Sequence, residues 1–405
     1  MTFMQPQGVP SSASRTTLLL GAASLFFLSF LMSGSANVLP QLFFRHYYPE
    51  QRVLLLAVTL FLSTVAALAG VAVSKRRPLS QAAIVAGLAL SLVASLGVVS
   101  VSVMTPYIAL ICLLQFADNL LLNQIDHAAV ARVRATDRPF NDVIGNIARL
   151  LGMVSAPAFF TAFFGEQGIV LPVLVVLGVI ACVGAISLFR SACVKLAVAS
   201  CAVSEPLDRA DRLLFAYAIS VYVALYLFAA NMIYLLSDLL QMSQPELRGG
   251  RAIVAVFVAA AVVNATLGVL RRPSGKARSV GSVALGAPAL VLMLSAGGLV
   301  AGIKPSFSLF LVCSAMVGGS YGLFLLELRG YVSRGVREDG KTLLLTRFNN
   351  MANVSAFAAF GLMIVLAVAK SLAPGMLYIW TLVLIGGLPA AGLILLLLTH
   401  RLVSR

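Results

Sequence analysis

The chain has 405 residues, of which 60% are hydrophobic and 11% charged, and it carries a formal net charge of +15. Its mean hydropathy of +1.00 excludes an ordinary soluble domain. The positive charge could suit a nucleic-acid-binding protein, but the sequence contains no basic stripe with interleaved aromatic residues, so we expect no nucleic-acid partner.

Apolar runs recur along the whole chain, and each is long enough to cross a bilayer as a helix. They predict an all-α membrane protein with about twelve transmembrane helices. The first run follows a polar tail and has no small-residue cleavage site, so we interpret it as a membrane helix and not as a removed signal. The predicted spans are 17–44, 53–73, 80–103, 106–130, 140–164, 168–189, 212–240, 252–270, 279–302, 306–328, 342–369 and 376–399.

The longest break between apolar runs divides the chain almost evenly. It predicts a cytoplasmic linker at 190–211 between an N-terminal six-helix bundle, 17–189, and a C-terminal one, 212–399. Short tails at 1–16 and 400–405 are predicted to be cytoplasmic too. No loop is long enough to hold a separate soluble domain.

The two predicted bundles are expected to be pseudo-symmetric, because similar short segments recur about half a chain length apart. Parallel repeats of six helices build a large class of transporters, with the substrate site between the halves. The recurring pairs are the Val-Ser-Ala segments at 154–160 and 354–360, Ala36-Asn37 with Ala230-Asn231, the basic loops after Gly70 and Gly268, and the acids Asp126 and Glu327.

The cations are distributed asymmetrically between the two sides of the predicted membrane. Such a bias places the cation-rich side, with both termini, in the cytoplasm, and it brings the cations to anionic membrane lipid. We therefore predict a multi-pass protein of the bacterial inner (plasma) membrane. Out of 29 Lys and Arg residues, those on the other side are Arg45, Arg52, Arg248, Arg251, Lys304 and Lys370.

No catalytic constellation is apparent, and we predict no enzyme activity, no cofactor and no metal. The segment 335–342 matches the phosphate-loop pattern, but a membrane helix precedes it, and Glu338 and Asp339 stand where a polyphosphate would approach. We interpret this match as a coincidence. The five cysteines form no metal-like pair.

The loop after the second span begins at Gly70 and continues through Ser74 to Lys75 and Arg76. This spacing resembles the loop motif of the major facilitator superfamily, with Ser74 where that family has an acid. The resemblance implies two six-helix halves that rock about a central site. In the family the acid helps lock the cytoplasmic gate, and that role does not transfer to Ser74.

Two glycine patterns leave alternatives open. The fifth span carries Gly152 and then Ala156-Pro157, which resembles a pattern of exporters in the family and favours efflux slightly. A packing kink is the alternative that we favour there. The tenth span holds glycines at 318, 319 and 322, which serve equally as a hinge or as close packing.

Polar residues inside the spans carry most of the functional information, because they are costly in a bilayer. In the fourth span they fall within about half the helical circumference. An extended Arg149 in the fifth span could reach Asp118 or Asp126. We predict proton coupling at Asp118 and Asp126. The alternative for Asp118 is a buried pair or a hydrogen-bonded polar core residue, and for Asp126 it is an ion pair that ties helix ends together.

Two further groups of residues complete the predicted site. The first lines the substrate cavity, in part by family resemblance, and its alternative role is packing: Asn37, Asn119, Asn123, Asn146, Arg149, Tyr222, Tyr226, Asn231, Tyr321 and Asn350. The second forms a cytoplasmic gate, and its alternative role is structural ion pairing at helix ends: Asp142, Glu327, Arg347, Lys75 and Arg76.

Together these features predict a monomeric secondary transporter for a small organic solute, working by alternating access and coupled to protons. A drug-like compound, a secondary metabolite and a siderophore-like compound remain open as substrates. The alternatives are an uptake permease of the same fold and, from another class, a membrane sensor or assembly factor that moves no solute.

Overall fold

The structure is a computed structural model, and it describes residues 15–76, 79–132, 138–190, 209–270, 282–334, 338–369 and 374–403. These residues are almost entirely helical and contain no strand. The predicted all-α fold class is therefore confirmed.

The first span is made of two helices joined by a π-helical turn at Gly34–Val38, and the seventh ends in a second such turn at Leu235–Leu239. Every other span is a single α-helix. The helices are α1 (Arg15–Ser33), α2 (Leu39–Tyr47), α3 (Arg52–Arg76), α4 (Gln81–Ser100), α5 (Met104–Arg132), α6 (Arg138–Phe163), α7 (Gln167–Arg190), α8 (Arg209–Tyr234), α9 (Pro245–Leu270), α10 (Ser282–Val300), α11 (Phe307–Arg334), α12 (Glu338–Val368) and α13 (Pro374–Val403).

Each predicted span corresponds to helix in the structure. Within the described residues, ten helices are long and apolar enough to cross a membrane, and α6 and α10 contribute shorter apolar stretches, Ile147–Phe163 and Gly286–Val300. The clearest difference is at α9, which begins at Pro245 and not near 252. Its first turn is polar, so a hydropathy pattern misses it, whereas proline at the first helical position favours helix initiation there.

The two halves repeat the same packing. In the N-terminal half, α3 packs on α5, and α4 packs on α5 and α7. In the C-terminal half, α9 packs on α11, and α10 packs on α11 and α13. The first span of each half likewise packs on the last two helices of its own half. This correspondence confirms the predicted pseudo-symmetric bundles.

Glycines permit the closest of these contacts. A Cβ atom at Gly70 of α3 would lie 2.3 Å from the carbonyl oxygen of Phe116 in α5. In the other half, Cβ atoms at Gly318 and Gly322 of α11 would lie within 2.6 Å of backbone oxygens in α9. The glycines at 318 and 322 therefore serve close packing, which was one of the two roles considered for that segment.

Two helices from each half form the main contact between the halves. α3 packs on α12, and α6 packs on α9. The rings of Phe61 in α3 and Phe357 in α12 have centroids 4.5 Å apart. A Cβ at Gly250 of α9 would lie 2.1 Å from the hydroxyl oxygen of Thr161 in α6. The arrangement has a twofold character, because the second and fifth spans of each half supply the contact.

Candidate functional site between the halves

The end of the bundle opposite the two termini is called the distal end here, and it carries the α2–α3 and α8–α9 connections. There Gln41 of α2 is fully buried against α8. Its Nε2 donates to the carbonyl oxygen of Ala229 (2.9 Å), and its Oε1 accepts from the backbone N–H of Ile233 (3.1 Å). The hydroxyl of Tyr234 donates to the Gln41 carbonyl oxygen (3.2 Å). One side chain thus links the first and seventh spans.

A second link is built around Asp238, which lies in the π-helical turn after α8. Its Oδ2 accepts from Arg52 of α3 (2.7 Å) and from the hydroxyl of Tyr378 in α13 (2.5 Å). Its Oδ1 accepts from Ser237 (2.5 Å). The Arg52 guanidinium also lies over the ring of Tyr234, 5.7 Å from its centroid. A charged group that receives three hydrogen bonds holds its neighbours in defined positions.

A third link joins Arg45 of α2 to Glu246 of α9, with a separation of 2.8 Å. The two arginines are about equally exposed, but the Glu246 side chain is 38% exposed whereas that of Asp238 is 20% exposed. Both pairs connect the N-terminal half to the C-terminal half. Together with Gln41 they close the distal end of the interface, and we call these three contacts the distal latch.

The latch residues were not among the predicted site residues. A usable signal existed for two of them, because Gln41 and Asp238 are polar and lie inside predicted spans. Arg52 and Tyr378 stand at helix ends, where such residues are common, so nothing in their local sequence distinguished them.

The paired asparagines of the first and seventh spans are bonded within or near their own helices. Asn231 is buried, and its Nδ2 donates to the Leu227 carbonyl (2.8 Å) and to Sδ of Met363 in α12 (3.3 Å). Asn37 is half-buried in the first π-helical turn, and its Nδ2 lies 3.5 Å from the Ser33 hydroxyl. Its carbonyl oxygen accepts from Gln41.

A chain of polar side chains connects α5 to the first span. Asn119 donates to the carbonyl oxygen (2.9 Å) and to Oε1 (3.3 Å) of Gln115. Gln115 in turn donates to the hydroxyl of Ser35 (2.6 Å) and to the carbonyl of Met32 (3.3 Å). Asn119 therefore lies on the face of α5 that meets the first span.

Asp118 points elsewhere, although it is adjacent in sequence. Its side chain is 1% exposed, and neither carboxyl oxygen has a hydrogen-bond partner. It interacts with Ser91 of α4, whose buried hydroxyl likewise lacks a full hydrogen bond. The suggested pairing of Arg149 with Asp118 is not formed. The physical reason is orientation, because the carboxyl faces α4 whereas Arg149 comes from α6.

Aromatic residues predicted for the cavity do meet in the C-terminal half. The rings of Tyr222 in α8 and Tyr321 in α11 form an edge-to-face pair with centroids 5.6 Å apart. Tyr226 lies 6.0 Å from Phe360 of α12, also edge to face. Tyr222 is buried, whereas Tyr226 and Tyr321 are half-buried. These contacts place the three tyrosines together in a hydrophobic cluster of the C-terminal half.

A glutamine of α5 contacts both the end of α3 and the residue before the N-cap of α4. The Ser74 hydroxyl donates to the carbonyl of Val71 within its own helix (2.7 Å). Gln124 of α5 donates to the Ser74 carbonyl (2.8 Å) and accepts from the N–H of Leu79 (3.3 Å). Gln124 thus bonds a carbonyl in the last turn of α3, which the helix leaves unpaired, and the N–H of Leu79 just before α4.

The remaining predicted residues belong to described helices, but their side chains lie outside the described part of the structure. The predicted cytoplasmic gate consists entirely of such residues and stays a prediction. Within the described residues, no cluster of His, Cys, Asp or Glu could hold a metal ion. The predicted residues outside the description are Lys75, Arg76, Asn123, Asp126, Asp142, Asn146, Glu327, Arg347 and Asn350.

No protein-family model and no curated protein sequence matches this chain. Solved structures do match over nearly its whole length. A peptide transporter POT in complex with sulfate has a TM-score of 0.70 at 11% identity, covering 100% of this chain and 99% of that chain. A variant of the nucleoside transporter NupG has a TM-score of 0.68 at 12% identity, covering 94% of this chain and 99% of that chain.

A POT family transporter in complex with 5-aminolevulinic acid has a TM-score of 0.63 at 11% identity, covering 92% of this chain and 95% of that chain. At such identities the likeness concerns the fold. The chain is a multi-pass membrane protein with the fold of the major facilitator superfamily, which confirms the predicted resemblance at the level of the fold.

Proposed function

We propose that the chain is a secondary active transporter that moves a small organic solute by alternating access. The observation that supports this most is the distal latch. The latch joins the two repeated halves at their distal end. Its contacts are made by one glutamine and two ion pairs, which can separate. Rocking of the halves would break these contacts and open a central site toward that end. By the cation asymmetry, the distal end faces away from the cytoplasm.

The substrate class follows from the described interior. The C-terminal half contributes the aromatic group Tyr222, Tyr226 and Tyr321, and the N-terminal half contributes the buried amides of Gln115 and Asn119, which bond each other and the first span. Rings beside amides suit an amphipathic organic solute that is partly flat or apolar. Drug-like compounds, secondary metabolites and siderophore-like compounds all have this character. The structural neighbours named above transport nucleosides and peptides, so both classes belong in a test panel.

The Gly152–Pro157 pattern alone favours export, and only slightly. A Cβ at Gly152 would lie 2.4 Å from the carbonyl oxygen of Phe26 in α1, which supports the packing role of that pattern. Both directions therefore receive equal weight in the experiment. Energy is proposed to come from the proton gradient, with Asp118 as the coupling group and Asp126 as the second predicted carrier.

The test is solute flux in proteoliposomes that contain the purified full chain. The panel includes nucleosides, dipeptides and amphipathic amines and carboxylates, each labelled, with a pH gradient of either sign and with none. We expect at least one solute to accumulate, faster with one gradient than with the other. If none moves under any gradient, while the protein remains folded, the non-transporting sensor or assembly factor becomes the better interpretation.

A further inference from the structure

The strongest observation that the latch does not explain is the buried contact between Asp118 of α5 and Ser91 of α4. Both residues are at most 1% exposed. Both carboxyl oxygens and the serine hydroxyl lack a hydrogen-bond partner. Burying an ionised carboxylate without partners costs several kcal/mol, so such groups are paired, bound to a cation or neutral.

Among the side chains that the structure describes, no charged group on the surrounding helices bonds Asp118. The helices packed on α5 are α1, α3, α4, α6 and α7, and α4 has no charged residue. Among these groups, Arg149 is described and does not bond Asp118. The charged or titratable side chains on these helices and on α5 itself are Arg15, Arg52, Lys75, Arg76, Asp126, His127, Arg132, Arg138, Asp142, Arg149, Cys182 and Arg190, with Cys112 and Tyr107 on α5.

A metal cation is a poor fit to the same contact. Calcium takes at least six oxygen ligands, whereas the described contact offers two carboxyl oxygens and one hydroxyl. A proton needs only one oxygen, and the resulting acid can donate to the Ser91 hydroxyl. Neutralisation by a proton is therefore the least costly way to bury this side chain.

We propose that Asp118 and Ser91 form a proton-binding site between α4 and α5, and that the carboxyl is protonated while the distal latch is closed. Asn119, one residue on, begins the polar chain through Gln115 to Ser35 in the first span. This chain lies on the neighbouring face of α5 and connects that helix to the first span. The role in transport rests on the proposed function, but occupancy by a proton does not.

Infrared spectroscopy of the full chain in liposomes measures that occupancy directly. A protonated carboxyl has a carbonyl band that a carboxylate lacks. We expect this band at neutral pH in the wild type, a shift in D2O, and its loss in Asp118→Asn. In Ser91→Ala the band should persist at a higher frequency, because the hydroxyl no longer interacts with the acid. Glu166→Gln, at an exposed acid between α6 and α7 that belongs to neither the latch nor the Asp118 contact, is the matched control and should leave the band in place.

Two results would overturn the proposal. One is the absence of an acid band that depends on Asp118, which would mean an ionised carboxylate. The other is loss of the band on adding sodium ions at constant pH, which would mean a cation site. If the band is present but no solute moves in proteoliposomes, the proton site stands and the proposed transport function fails.

Discussion

The Arg52 guanidinium of α3 lies 2.7 Å from the Asp238 carboxylate, which belongs to the π-helical turn after α8. The two residues are 186 positions apart in sequence and come from different halves. Tyr378 donates to the same carboxyl oxygen, so three spans converge on one acid at the distal end. An alternating-access transporter needs contacts of this kind, which are strong enough to hold one state and can be broken in the next.

Replacing Asp238 by Asn should favour opening of the distal end. A hydrogen bond to a charged group contributes about 1.5–3 kcal/mol, which corresponds to roughly a tenfold to hundredfold change in the ratio of open to closed molecules. Spin labels at Glu50 and Ser243, which are exposed near the turns of the two halves, report that distance. An unchanged distance distribution in Asp238→Asn would show that the pair does not hold the halves together.

Replacing Arg45 by Ala should have a smaller effect on the same distance. The Arg45–Glu246 pair is more exposed on its acidic side, and exposed pairs contribute about 0.2–1 kcal/mol and weaken with salt. We therefore expect Arg45→Ala to keep nearly the same distance distribution as the wild type. An effect equal to that of Asp238→Asn would contradict the ranking of the two pairs.

Replacing Gln41 by Leu should destabilise the closed protein. The change keeps the approximate size of the side chain but removes its hydrogen bonds to the Ala229 carbonyl and the Ile233 N–H of α8. Each hydrogen bond lost costs about 0.5–1.5 kcal/mol. Thermal unfolding in detergent measures the loss, and Gln167→Leu at an exposed glutamine is the matched control. Equal unfolding temperatures for the two variants would refute the structural role of Gln41.

Replacing Gly318 by Ala should impair packing of α11 on α9. The new Cβ would lie 2.0 Å from the carbonyl oxygen of Val256, so the helices must separate. Overpacking of this kind costs about 1–3 kcal/mol. Gly297 of α10 has no atom within 4 Å of the corresponding position, and Gly297→Ala should be neutral or slightly stabilising. Yield and unfolding temperature of the two variants distinguish packing from helix propensity.

Local physics explains which parts of the fold were predictable. A bilayer demands about 20 apolar residues for each helix, so the spans could be predicted from hydropathy. The repeat could be predicted from similar segments in the two halves. The polar first turn of α9 carries no such signal. The direction in which Asp118 points also could not be read, because residues one position apart on a helix face directions about 100° apart.

The latch required information that no single span contains. Arg52 and Asp238 meet because the two halves have a defined register and because a π-helical turn presents Asp238 toward α3 and α13. A polar residue such as Gln41 inside an apolar span signals importance, but its partners are backbone groups of another helix. Such partners become identifiable only when the helices are packed.

The most direct test of alternating access is solute flux through a latch that can be locked. In a background without the five native cysteines, Arg52→Cys and Asp238→Cys are joined by a short cleavable bismaleimide in proteoliposomes. The account predicts that a solute moved by the uncross-linked double variant stops moving after cross-linking and moves again after cleavage of the linker. Undiminished flux with the linker intact would contradict it.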